Sequence, residues 1–343
     1  MSARRRPQAI VVGATFGAIY AEALAAPDSP VELIGLVSTG SAASAALADR
    51  LGIALYTDLD DLPHVDVAFV VVRSGVVGGD GVQICERLLA RGIHVMQEQP
   101  VHPDEMLSLL RVAKMNRVLY AVNDFYSRVA PMRQFICAAK VLDKVARIRY
   151  VHARSAIHVA YPLFTILGSV VGALAPAQVM VPKHGGPSPF VAGRLMLADV
   201  TVDLLIQNEL CASDPDNYAR LMHAITVGTD AGELVLAHTH GSTRWHRRPH
   251  PEAGLADVPV AEPVGVTFEP TAAEIRNELW PNAVRLAAAD FVDSVDRSAI
   301  MISQRLLRAT RLWSDFTSAM GPVTLIDPEP PILVSAAELS VER

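Results

Sequence analysis

The chain has 343 residues, 51% of them apolar and 19% charged, and 36 acidic against 30 basic side chains give a net charge of −6. Such a length and composition fit a packed globular protein of two domains or one large one, and argue against a disordered chain. An acidic balance with no basic block beyond Arg4-Arg5-Arg6 argues against nucleic acid as a partner.

The first part of the chain alternates strand and helix. Gln8–Val12 is a short apolar run, Ala18–Ala25 is helical in composition, and Val31–Val37 is a second strand. Ser44–Leu51 reads as a helix closed by Gly52. Val65–Val72 is almost continuously apolar, as a strand buried on both faces must be. Val82–Arg91 is a helix with Gly92 past its end, Ile93–Gln97 a strand, Asp104–Met115 a helix opened by Pro103, and Val118–Val122 the last strand of the series. This rhythm predicts a parallel sheet wrapped by helices on both sides.

The texture changes after Asn123. Val145–Arg154 alternates as a half-exposed strand does, and Leu195–Asn208, Ala224–Val227 and Glu233–Thr239 are further strand candidates. Alternation predicts an open, mainly antiparallel sheet with one packed face. Arg244–Pro263 reads as a surface loop, and Trp280–Asp296 and Met301–Met320 as long helices. The expected fold class is therefore α/β, with a dinucleotide-binding domain over 1–123 and an α/β domain over 124–343. Leu163–Val181 is long and nearly uncharged, but Gly168, Gly172 and Pro176 split it into a buried helix and a strand, so no membrane span is expected. Cys85, Cys137 and Cys211 are odd in number and far apart, and no signal-peptide pattern precedes the first strand. Both point to a reducing, cytoplasmic setting.

Gly13-Ala14-Thr15-Phe16-Gly17 joins the first strand to the first helix, with Thr15 and Ala18 in the second and third glycine positions of a dinucleotide fingerprint. Glycine lets the backbone approach a pyrophosphate, and the helix N-terminus adds amide donors. The second strand runs into Ser38-Thr39-Gly40-Ser41, where an NAD enzyme places an acid for the ribose. Small hydroxyl residues accept a 2′-phosphate instead, so NADPH is the expected cofactor, although the nearest Arg in sequence is Arg50 on the following helix. Arg73 and Ser74 end a strand at the ligand-facing edge; Arg73 reads equally as a cofactor or substrate contact and as a surface ion pair. Glu98 and Gln99 end the next strand and join the cofactor set.

His102 stands at the start of a helix, where it is a proton-donor candidate or a cap. Tyr126 lies just past the last strand of the series, its hydroxyl a donor to a developing amine anion or a packing group, and Asn123 and Asp124 share that rim. His238, His240, His246 and His250 suggest a metal set, but Arg244, Arg247 and Arg248 repel a cation; a polar strand end and loop, with no metal, is the reading taken.

Together these residues resemble the Gfo/Idh/MocA oxidoreductases, and within them the thiazolinyl imine reductases of siderophore biosynthesis. The resemblance rests on Val71-Val72-Arg73-Ser74, Gly78-Gly79, the stretch from Leu89 through Gln97-Glu98-Gln99-Pro100 to Pro103, and Asn123-Asp124-Phe125-Tyr126. The wider family reads Glu-Lys-Pro where this chain reads Glu98-Gln99-Pro100, and that Lys assists proton removal from a sugar alcohol. An amide cannot act as acid or base near neutral pH. The resemblance implies NADPH-dependent reduction of a thiazoline C=N to a thiazolidine, with proton-donor roles for His102 and Tyr126. It also implies a substrate tethered to the phosphopantetheine arm of a nonribosomal peptide synthetase carrier domain. A homodimer through the open sheet is expected, to cover an apolar face. The alternatives are a sugar or polyol dehydrogenase of the same family and a non-catalytic NADPH-binding sensor or scaffold.

Overall fold

The computed structural model describes residues 5–74, 78–183, 186, 188–215, 218–249, 257–330 and 332–340; Arg4, Gly75, Val76, Val77 and His250 lie outside them. The first half consists of β1 (Gln8–Val12), α1 (Gly17–Leu24), β2 (Glu32–Val37), α2 (Ala42–Leu51), β3 (Ala54–Tyr56), β4 (Val67–Val70), α3 (Gly81–Ala90), β5 (His94–Glu98), α4 (Pro103–Asn116) and β6 (Tyr120–Asn123). These strands form a parallel sheet of order β3-β2-β1-β4-β5-β6. The order reverses between β1 and β4, the switch point at which such sheets bind ligands.

Successive strand residues feed two cores. Ile10, Val12, Ala68, Val70 and Val95 pack with Leu88 and Leu89 of α3 and Met106 and Leu109 of α4. Ala9, Val11, Val67, Phe69 and Met96 pack on the other face with Ile19 and Leu24 of α1. Burial on both sides is why these strands read as unbroken apolar runs.

The second half follows with α5 (Phe125–Arg128), α6 (Ala130–Val145), β7 (Ile148–Ala156), α7 (Ala160–Val170), β8 (Ala177–Met180), β9 (Phe190–Leu197), β10 (Val200–Gln207), β11 (Glu209–Cys211), β12 (His223–Thr229), β13 (Gly232–Leu236), β14 (Thr243–Arg247), β15 (Ala261–Pro263), α8 (Ala272–Glu274), α9 (Trp280–Arg297), α10 (Gln304–Met320) and β16 (Thr324–Ile326). Its main sheet has the order β15-β14-β13-β12-β7-β10-β9-β8, antiparallel except for the β7–β10 pair. The fold class is thus as expected. Helix α9 returns to the first half, where Ala283, Val284, Ala287 and Phe291 complete the core beside α1.

Local expectations are corrected in places. Leu195–Asn208 is not one strand but the β9–β10 hairpin, which turns at Ala198 with φ 54°. The loop expected over Arg244–Pro263 begins and ends in paired strands, β14 and β15. Helix α6 and the short strand β3 went unpredicted. The outer face of the open sheet is not a bare apolar surface: Arg194 donates to Asp203 at 2.6 Å and Tyr150 to Glu233 at 2.7 Å, beside a half-exposed Leu205. Helix α7 is buried, and no described helix is long and apolar enough to cross a membrane.

Candidate cofactor and substrate site

The turn after β1 is built on Gly13. Its φ of +105° belongs to glycine, and an added Cβ would stand 2.4 Å from the Val71 carbonyl oxygen. Its amide donates to Val37 at 2.9 Å, which tucks the turn between β2 and β4. Gly17 packs on the strands with room for a side-chain carbon: a Cβ there would make ordinary contact with Val11 at 3.4 Å and Val71 at 3.5 Å. No side chain caps α1 at Phe16, so the first-turn amides of this helix suit an anionic group. Ala14 is half-buried and Thr15 exposed in this turn. Phe16 makes edge contacts with Phe125 and Trp280.

At the end of β2, Ser38 accepts from the Gly40 amide at 3.2 Å, and Ser41 caps α2 by accepting from Ser44 at 3.2 Å. Thr39 is exposed and Gly40 has φ +80°. Arg50 pairs with Glu22 at 2.7 Å, so it is engaged away from this loop.

The ends of β4, β5 and β6 lie side by side. Gly79 and Gly81 pack onto the backbone after β4, where a Cβ would meet the Arg73 and Val72 carbonyl oxygens at 2.2 and 2.5 Å. Ser74 is buried and donates to the Pro100 carbonyl at 2.7 Å, bracing the segment that carries Gln99; Arg73 is exposed. The Gln99 side-chain oxygen is shielded from solvent with no hydrogen-bond partner among the described residues. A buried amide acceptor in that state costs free energy unless a ligand donor satisfies it.

Glu98 accepts from the Tyr20 hydroxyl of α1 and from Asn123 Nδ2 of β6 at 3.1 Å, and Asn123 also donates to Tyr20. Burial pushes the Glu98 carboxyl up to about 8, outweighing those bonds, and Asp124 adds like charge. Asp124, also raised by burial, accepts from Ser127 at 2.5 Å and Thr165 at 2.7 Å.

His102 is the N-cap of α4. Its Nδ1 accepts from the Asp104 amide at 3.3 Å, and Glu105 completes a capping box by accepting from the His102 amide at 3.2 Å. Since Nδ1 accepts, Nε2 carries the hydrogen of the neutral ring and donates to Ser314 of α10 at 3.1 Å. Both nitrogens are therefore engaged, Nδ1 in capping α4 and Nε2 in joining α4 to α10. Tyr126 lies on α5 with its ring 5.3 Å from that of His223.

His223 groups with the His238–Gly241 turn; the sequence drew attention to His238 and His240 but not to their meeting with His223. His223 is buried, its Nε2–H donating to the Val159 carbonyl at 2.8 Å and its Nδ1 facing the Thr239 hydroxyl at 3.1 Å. Burial lowers its pKa to about 4. Strand β13 ends at Leu236, so His238 and His240 lie in a turn rather than along a strand. Trp280, at the start of α9, donates to His240 Nε2 at 3.0 Å, and burial lowers His240 to about 4 as well. Trp280 also touches Phe16 and Phe125, which brings this turn to the dinucleotide loop. No local motif announces a Trp–His pair separated by forty residues. His246 lies apart, on β14, and no group of three or more His, Cys, Asp or Glu among the described residues is placed to hold a metal ion.

Comparison with known proteins adds to this geometry. The family model for the GFO_IDH_MocA oxidoreductase family, NAD-binding Rossmann fold, matches residues 8–124, and that for the C-terminal part of thiazolinyl imine reductase Irp3-like proteins matches residues 147–246. No curated protein matches. Among solved structures, UDP-N-acetylglucosamine 3-dehydrogenase GnnA from Acidithiobacillus ferrooxidans is 14% identical over 91% of this chain and 97% of its own, with a TM-score of 0.67. Myo-inositol 2-dehydrogenase from Lactobacillus plantarum is 13% identical over 94% and 100%, with a TM-score of 0.65. Biliverdin reductase from Synechocystis sp. PCC 6803, solved with biliverdin and NADP+, is 14% identical over 91% and 98%, also at 0.65. At such identities the likeness shows the fold alone.

Proposed function

The chain belongs to the Gfo/Idh/MocA oxidoreductase family, with residues 147–246 of the Irp3-like type, and from that premise we propose that it reduces the C=N bond of a thiazoline ring to a thiazolidine with NADPH. The observation that carries this reading is Gln99, in the position where the wider family has its lysine, on a chain whose residues 147–246 match the C-terminal part of the Irp3-like reductases. An alcohol dehydrogenase needs a group to take the hydroxyl proton; an imine reductase does not. An amide is therefore compatible with the second chemistry and poorly suited to the first.

The residues present fit a nicotinamide dinucleotide. Gly13 and the uncapped start of α1 would hold the pyrophosphate, Ser38–Ser41 the 2′-phosphate of NADPH, and the unsatisfied Gln99 oxygen a ligand N–H. When bound, the reduced cofactor supplies the hydride that the imine carbon requires. Tyr126 is the proposed donor of the proton to nitrogen. His102 has the proposed part of fixing α4 against α10, and the Phe16–Phe125–Trp280 cluster that of keeping water from one wall. The Synechocystis reductase supports the capacity of this fold to take NADP+.

The proposal extends to a substrate carried on the phosphopantetheine arm of a nonribosomal peptide synthetase, a homodimer through the outer face of the open sheet, and a cytoplasmic setting. The test is NADPH oxidation by the purified protein with a thiazoline carboxylate analogue, set against NADP+ reduction with inositol and glucose. Saturable turnover of the thiazoline alone supports the reading. Saturable sugar oxidation would replace it with a polyol dehydrogenase, and binding without any turnover with a sensor.

A further inference from the structure

The reduction as written above makes no use of two half-buried carboxyls, Glu98 and Asp124. Strands β5 and β6 pair with Glu98 opposite Asn123, so the two acids stand side by side at the carboxyl edge of the sheet. In a sheet of this order the dinucleotide lies across that edge, with its pyrophosphate at the turn after β1 and its adenosine ribose at the end of β2. The nicotinamide half consequently belongs over β4, β5 and β6. That half is the one that changes charge, because the oxidised ring is a cation and the reduced ring is neutral. A carboxylate close by favours the oxidised form, and a neutral carboxylic acid does not.

The enclosure of Glu98 decides which of the two it presents. Tyr20 reaches it from α1 and Asn123 from β6, while Asp124 adds negative charge from the start of α5. Tyr161 on α7 lies in the field of both acids. Arg128 on α5 favours the ionised forms of Asp124 and Tyr20 and is itself paired with Asp290 on α9, while Arg73 follows the neighbouring strand β4 on the exposed side. Gln99, the next residue along, is neutral. Glu98 thus accepts from a hydroxyl, a side-chain amide and the Gln99 backbone, with no cation among the main influences on it, whereas Asp124 has two hydroxyl donors and Arg128.

We propose that Glu98 determines the preference between reduced and oxidised cofactor: held as a neutral acid in its Tyr20–Asn123 enclosure, it leaves the site uncharged for the reduced ring and releases its proton to solvent when the oxidised ring is bound. The proposal goes beyond the thiazoline reading and is tested without any imine.

The experiment is calorimetric titration of the intact protein with NADP+ and, separately, NADPH, at about pH 7.5 in two buffers of different ionisation enthalpy. The 2′-phosphate is common to both cofactors, so the difference between them isolates the ring. For an electrostatic coupling of about tenfold, NADP+ binding releases roughly half a proton and NADPH close to none. Affinity for NADP+ then rises by up to ~10-fold from about pH 6 to 9 while that for NADPH changes little. Glu98→Gln should abolish the difference between the two cofactors; Asp124→Asn should leave the difference in place. If Glu98→Gln does not fold, Tyr20→Phe removes a donor to the carboxylate and should move the rise in NADP+ affinity to higher pH. Equal proton release by the two cofactors, release that persists in Glu98→Gln, loss confined to Asp124→Asn, or an unmoved midpoint in Tyr20→Phe would each overturn the proposal. If NAD+ and NADH bind more tightly they serve as the pair; binding of neither would overturn it.

Discussion

Replacing His102 separates capping from catalysis. The side chain accepts from the Asp104 amide at 3.3 Å and its other nitrogen meets Ser314 at 3.1 Å, on a helix more than two hundred residues away. Losing an N-cap costs about 0.5–2 kcal/mol, and losing a hydrogen bond of the Ser314 kind about 0.5–1.5 kcal/mol. His102→Ala should therefore lose about 1–3.5 kcal/mol of stability, the sum of those ranges. Loss of a general acid would appear elsewhere, as about 10²–10⁴-fold in kcat. His102→Asn distinguishes the two, because Asn caps well but has no titrating ring. The expectation is that Asn recovers most of the stability lost by Ala and keeps kcat near wild type. Tyr126→Phe should lose more than ~10-fold in kcat with NADPH affinity retained. Thermal denaturation, NADPH titration and steady-state turnover on a thiazoline analogue measure all three. A His102→Asn protein as stable as wild type but slower by about 10²-fold or more would refute the reasoning and make the imidazole the acid.

Gly13→Ala should abolish dinucleotide binding while circular dichroism stays native, since its Cβ would lie 2.4 Å from the Val71 oxygen in a backbone conformation alanine avoids. Ser38→Asp should weaken NADPH by about tenfold or more through repulsion of the 2′-phosphate; tighter NADH than NADPH binding by the wild type would contradict the cofactor proposal. The folded-state pKa of His223 lies below that of the unfolded chain, so its neutral ring contributes stability that is present above about pH 6.5 and is lost as pH falls toward 4. At about 1.4 kcal/mol per pH unit, the drop from 6.5 to about 4 amounts to at most ~3.5 kcal/mol. Urea midpoints measured across that range should fall less steeply in His223→Gln, and an unchanged slope would exclude the buried ring as a source of acid instability.

Most of the parallel sheet was legible because each strand is apolar on both faces and each helix between them has an apolar stripe. Strand β3 was not, because three residues carry no periodicity. The β9–β10 hairpin read as one strand because its turn, Ala198-Asp199, has no Gly, Pro or Asn to mark it. Helix α6 does space Met132, Phe135, Ile136 and Ala139 as a helix should, but a reading fixed on strands passes over it. The site divides in the same way. Gly13, Gln99 and Tyr126 belong to local motifs at strand ends. The bonds of Tyr20 with Glu98, His102 with Ser314 and Trp280 with His240 join residues that only folding brings together.

The lysine-to-glutamine difference reaches beyond the residue itself. A lysine directly after Glu98 would place a cation near that carboxyl and draw its pKa down, so a Glu-Lys pair tends to be zwitterionic at neutral pH. With Gln99 the cation is gone, burial dominates, and Glu98 rises to about 8. On the proposed reading, the difference removes the positive charge directly and the negative charge at Glu98 indirectly, so that the end of β5 is neutral. Gln99→Lys should restore the pair. Proton release on NADP+ binding at about pH 7.5 should then vanish, because Glu98 is already ionised before the cofactor arrives. Calorimetry in paired buffers reads this directly. A Gln99→Lys protein that still releases about half a proton would show that position 99 does not govern the charge of Glu98.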